Sequence, residues 1–143
     1  MESELDFSQA TEPEIGAPTD AHRAAFKQAT QMLSELCEGV ARSSRAQHNL
    51  AGWKRRIAVR TAAGDLTLRI DDGKLALTKG KPRGRVDFVM IAEDPQLLVD
   101  WMTFKEALTN AIITGALWIS ANQEFTTIFK LDRLPRSTRR DAD

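Results

Sequence analysis

Apolar residues recur at helical spacing from Phe26 through Ala29, Leu33, Leu36 and Val40, which predicts a long first helix with one buried stripe. Pro18–Asp20 supplies helix-start chemistry just ahead of it. Arg42 to Asn49 is polar and reads as a loop. The period then changes. Ile57 and Val59 alternate with Ala58 and Arg60, and after the turn "AAGD" Leu66, Leu68 and Ile70 alternate with Thr67 and Arg69. "DDG" at 71–73 is a hairpin turn with glycine where a positive φ is needed. Leu75 and Leu77 carry the alternation on to "GKPRG", and Val86–Ile91 follows as a strand apolar on both faces. Four strands with short turns between them predict an antiparallel meander.

Helical spacing returns after Asp94-Pro95, an N-cap followed by proline at the first helical position, with Leu97, Leu98, Trp101 and Met102 on one side. Thr103 and Glu106 have capping-box spacing, so a second short helix is expected at once, its stripe formed by Ala107, Leu108, Ala111 and Ile112. Gly115 falls at the left-handed C-cap position. Leu117–Ser120 reads as a fifth strand, and Asn122 as the cap of a last helix carrying Phe125, Ile128, Phe129 and Leu131. Residues 1–18, broken by Pro13, Gly16 and Pro18, read as a disordered acidic leader, and residues 135–143 as a basic flexible tail. Between them one domain over 19–134 is predicted. It is α+β: a five-stranded, mainly antiparallel sheet covered by helices.

Composition narrows the function. At 143 residues one domain suffices, and a net charge of zero points to no partner in bulk. The distribution is less neutral. Residues 1–20 hold six acids and no base, whereas Lys54–Arg85 holds ten bases against three acids. The run Lys54, Arg55, Arg56, Arg60, Arg69, Lys79, Lys81, Arg83 and Arg85 reads as a solvated strand face partly offset by the leader, with an anionic membrane surface as the sharper alternative. Nucleic acid is disfavoured, because only Trp53 stands near these bases as a stacking aromatic.

The single cysteine, Cys37, excludes an intramolecular disulfide, fits a reducing compartment and lies beside the first helical stripe, where a small buried hydrophobe is expected. "MESELDFSQ" lacks the regions of a secretory signal, and no window is long and apolar enough for a membrane span, so a cytoplasmic protein is expected. His22 and His48 have no partner spacing, no cluster matches a metal site, and "GKPRG" lacks the spacing of a phosphate-binding loop. Neither an enzyme nor a bound cofactor or metal is expected.

From Trp53 to Leu134 the chain resembles the sterol carrier protein type 2 family. The likeness is carried by "LTLRIDDGKLALTKGKPRGRVDFVMIAEDPQLLVDWM" followed by "FKEALTNAIITGALWISANQEF", through Asp72-Gly73, Val86-Asp87, Asp94, Ala107 and Thr114-Gly115. The resemblance implies an apolar cavity between sheet and helices that takes a lipid, fatty acyl, sterol-like or isoprenoid compound. Its alternative is an accessory scaffold for a partner enzyme of a lipid, quinone or secondary-metabolite pathway. Phe88, Met90, Leu97, Trp101, Met102, Leu108, Ile112, Trp118, Phe125 and Phe129 are the candidate walls. Periodicity reports burial and not a void, so core packing is the first account of each of them taken singly.

Overall fold

The computed structural model describes residues 11–142; most of the expected acidic leader, residues 1–10, lies outside them, as does Asp143. Residues 11–19 have no regular structure, but Glu12 pairs with Arg60 at 3.1 Å and the Gly16 N–H donates to Glu93 at 2.9 Å. Helix α1 (Asp20–Ala41) starts at Thr19, whose hydroxyl accepts from the His22 N–H while the His22 ring accepts from the Thr19 N–H. Its buried stripe is Ala25, Ala29, Leu33, Leu36 and Val40. The expected polar loop after it is instead a second helix, α2 (Ser44–Leu50), capped by Ser43 and burying Ala46 and Leu50. Two apolar contacts in seven residues give too weak a period to read.

Four strands follow: β1 (Lys54–Thr61), β2 (Gly64–Asp71), β3 (Lys74–Lys79) and β4 (Phe88–Ile91). β1–β2 and β2–β3 pair antiparallel in the expected registers, with Ile57 opposite Leu68 and Leu68 opposite Leu77. The meander stops there. β4 lies parallel to β1, Ile57 beside Phe88 and Val59 beside Met90. With β5 (Trp118–Ile119) antiparallel to β4, the order is β3-β2-β1-β4-β5 and the sheet is mixed. Loop length explains the correction. Crossing from β3 over two strands to the far edge of β1 spans about 14 Å at roughly 4.8 Å per strand, and the eight residues 80–87 reach it easily. Lys81, Pro82 and Arg83 of this crossing line a groove with Arg56 and Arg69, on the sheet face away from the helices.

Helix α3 (Gln96–Met102) begins where expected, with the Gln96 N–H on the Asp94 carboxylate at 2.9 Å. Helix α4 (Leu108–Thr114) ends at Gly115, which holds φ 89 as a left-handed cap. The Thr103–Glu106 capping box does not form. Thr103 donates back to the Val99 carbonyl, and α4 is capped from a distance by Asp132, which accepts from the Leu108 N–H (2.7 Å), the Thr109 N–H (3.1 Å) and the Thr109 hydroxyl (2.9 Å). A 3₁₀ turn at Asn122–Glu124 leads into α5 (Phe125–Ala142), which carries Pro135 inside it and runs on through the expected tail.

One apolar cluster joins the inward strand positions Ile57, Val59, Leu66, Leu68, Ile70, Phe88, Met90 and Ile119 to the buried stripes of all five helices. The helices therefore share one face of the sheet. The other face carries Arg56, Ala58, Arg60, Thr67, Arg69 and Val89, by strand alternation.

Candidate functional site

The layer between sheet and helices is where the ten candidate wall residues were expected to meet. Seven do. Phe88 and Met90 rise from β4, Leu97, Trp101 and Met102 come down from α3, and Leu108 and Ile112 from α4, all buried in the one cluster. Two clefts reach the layer. One, of about 170 Å³, is lined by Trp101, Phe104, Lys105, Asp132 and Arg136 among others; the other, of about 240 Å³, by Met32, Leu36, Met102, Phe104 and Pro135 among others. Phe104 separates them. It holds a positive φ of 66, rare for a bulky residue, with the guanidinium groups of Arg136 and Arg139 over its ring at 5.8 and 5.4 Å. Nothing in "TFKE" announces that conformation, and Phe104 is a residue that sequence reasoning does not single out.

Trp101 is the one buried side chain among the described residues whose polar atom, Nε1, has no hydrogen-bond partner. A buried N–H without an acceptor costs about 1–3 kcal/mol.

The last three candidates diverge. Trp118 pairs with Ile91 while Ile119 pairs with Met90, so alternation puts Trp118 on the sheet face opposite Phe88 and Met90. It cannot line a cavity with them, and the reading that placed it there is corrected: one residue of register separates the two faces. Phe125 is half-buried at the margin of the core. Phe129 is 53 % exposed, its ring 5.4 Å from that of Phe125 at a tilt of 51°. On α4 Ile113 is exposed as well, at 67 %. Each of these exposed side chains follows a buried isoleucine in sequence, Ile112 on α4 and Ile128 on α5, and the two helices are joined through Asp132.

The larger grooves lie elsewhere. One of about 790 Å³ borders the β2–β3 hairpin, α2 and Cys37, and one of about 880 Å³ runs beside α1 and β3 at Phe26, Leu77 and Lys79. Neither is lined by any of the ten candidates. Burial pushes the Cys37 thiol up to about 11, the opposite of what a nucleophile needs. His22 is occupied in the α1 cap. Among the described residues no group of three or more His, Cys, Asp or Glu is placed to hold a metal ion, and no helix is long and apolar enough to cross a membrane. What the arrangement offers chemically is apolar contact.

The chain matches no sequence-family model and none of the curated protein sequences compared with it. Its fold does match solved structures. A structure described as "UbiJ-SCP2 Ubiquinone synthesis protein" superposes with a TM-score of 0.58 at 19% identity, over 78% of this chain and 96% of that one. A crystal structure of sterol carrier protein 2 gives 0.58 at 12% identity, over 76% and 94%. The fold is that of sterol carrier protein 2. A double mutant of the sec-alkyl sulfatase PisA1 also contains it, with a TM-score of 0.55 at 18% identity. There the match covers 71% of this chain but 16% of the sulfatase, so the chain spans about one sixth of that enzyme. The sterol carrier protein 2 fold accounts for what alternation alone missed, the mixed sheet with β4 against β1.

Proposed function

We propose that this chain binds a hydrophobic small molecule of the lipid, fatty acyl, sterol-like or isoprenoid kind between its helical layer and its sheet, without transforming it. The observation that carries the reading is that Phe129 of α5 and Ile113 of α4, two helices joined through Asp132, stand in solvent while their sequence neighbours Ile128 and Ile112 belong to a continuous apolar core. The Phe125–Phe129 pair, with ring centres 5.4 Å apart, makes a contiguous apolar patch at the start of α5, and such patches mark binding surfaces more often than isolated residues do. Entry then consists of the first turns of α5 swinging the Phe125–Phe129 pair aside, with Met90 and Met102, flexible and polarizable, repacking around the guest. The unpartnered Trp101 Nε1 is suited to a carboxylate or hydroxyl oxygen of such a guest. Burying apolar ligand surface contributes about 25 cal/mol per Å² before association costs, and no catalytic group is required.

Phe129→Asp is the test, because the residue is exposed and its replacement leaves the core intact. Binding of a fluorescent fatty acid is expected to weaken about tenfold or more, the loss of roughly one aromatic contact. Unchanged binding in a cooperatively folded variant would sink this site.

A second reading is supported by the likeness to the UbiJ structure, whose description calls it a ubiquinone synthesis protein. Under it the filled core is the working state, and the outward apolar patch receives a partner enzyme. Native mass spectrometry of the protein from its own host separates the two: a co-purified lipid favours the carrier, an empty chain bound to a biosynthetic enzyme the scaffold.

A further inference from the structure

On the sheet face away from the helices, the ladder between β1 and β2 sets charges opposite one another. Lys54 faces Asp71 and Arg60 faces Asp65, both pairs of opposite sign. Between them Arg56 faces Arg69. Like charges directly across an antiparallel ladder repel, and no carboxylate of the described residues pairs with either side chain. The nearest acid by bonding, Asp87, accepts from the Arg56 backbone N–H at 2.7 Å. At this place the surface is also concave. A groove of about 310 Å³ is lined by five cations, Arg56, Arg69, Lys79, Lys81 and Arg83, with Thr67 and Thr78 beside them and no acid. Lys81 and Arg83 come from the 80–87 crossing, so the connection that makes the sheet mixed also closes one side of the groove.

We propose that this groove binds the phosphate groups of anionic phospholipids and seats the outer face of the sheet on a membrane surface. Charge complementarity names the occupant: among the described residues no carboxylate answers Arg56 and Arg69, and the phosphates of an anionic surface supply that charge. Arg69, Lys81, Arg83 and Arg85 are all exposed, so the positive field extends beyond the groove, as a surface of many phosphates requires. Single-stranded nucleic acid fits less well. No aromatic lines the groove, and Trp53 is already flanked by Arg55 and Lys130, each 4.7 Å from its ring centre. The proposal concerns the opposite face from the apolar patch of α5 and stands or falls apart from it.

The test is sedimentation with phosphatidylcholine vesicles with and without phosphatidylglycerol. The wild-type chain binds only the anionic vesicles, and added salt releases it. Combining Arg69→Gln, Lys81→Gln and Arg83→Gln weakens that binding about a hundredfold, at roughly fivefold per charge. The equally neutralised set Lys27→Gln, Arg42→Gln and Arg133→Gln leaves most of it. The groove variant folds as well as its parent, since it removes the Arg56–Arg69 repulsion, and it still takes up fluorescent fatty acid. Indifference of the wild type to phosphatidylglycerol, equal losses in the two variants, tighter binding of single-stranded RNA than of vesicles, or binding of inorganic pyrophosphate alone would each overturn the assignment.

Discussion

Cys37 sits half-buried beside the α1 stripe, at the edge of the groove under the β2–β3 hairpin. Burial raises its thiol from 9.0 to about 11, so at pH 8 its thiolate is about a hundredfold scarcer than that of an open thiol. A thiolate of higher pKa is also more nucleophilic, which returns about a factor of ten. Alkylation by iodoacetamide at pH 8 is therefore expected to run roughly tenfold slower than in an unstructured cysteine peptide, and to accelerate with pH up to about 11. Equal rates would show the thiol to be open. At this scale the sequence was legible wherever apolar period set burial, as at Leu33, Phe88 and Leu108, whereas Cys37, expected buried, is half-buried. It was not legible at Trp118, where two residues of strand leave no alternation to count. Nor was it at Trp101 Nε1, whose missing partner is a property of packing.

Helix α4 is seven residues long, too short to stand alone in water, and has no cap of its own. Its first two N–H groups and the Thr109 hydroxyl all end on the Asp132 carboxylate, 23 and 24 residues away on α5. A local motif was expected at Thr103–Glu106, but Thr103 sits at the end of α3 and bonds back to Val99. Asp132→Ala is therefore expected to lower stability in urea unfolding by about 1–2 kcal/mol, and Thr103→Ala by less than about 0.5 kcal/mol. The reverse order would return the cap to the local motif. The same contrast explains which elements could be foreseen. α1, α3 and the β2–β3 hairpin are signalled by neighbours in sequence, whereas the starts of α4 and the pairing of β4 are decided by segments far along the chain.

For the whole molecule the decisive piece is the end of α5. Proline and a run of arginines argued for a loose tail after Leu134, but a proline needs only a free carbonyl one turn back, and burial outweighs the sequence signal. Leu134 and Pro135 are buried, and a Cβ on Gly39 of α1 would lie 3.2 Å from Thr138, so the two helices cross closely there. Beyond it Asp141 closes a clip on the start of α2: its carboxylate accepts from the Ser43 hydroxyl at 2.6 Å, the Arg45 N–H at 3.2 Å and the Arg45 guanidinium at 3.2 Å. Deleting residues 135–143 is thus expected to lower Tm by about 5 °C at neutral pH, where removal of a disordered tail would leave it unchanged. The Ser43 bond above all, then the Arg45 N–H, holds the Asp141 carboxyl below its ordinary 3.8. A carboxyl depressed in the folded state stabilises above its unfolded value and ceases to do so as pH falls through the folded one. The clip is accordingly intact at neutral pH and released below about 3.8, so the gap in Tm between full-length and truncated chains must narrow there, leaving only the contribution of Pro135 and Thr138. A gap that stays constant down through that range would assign the whole effect to packing and none to Asp141.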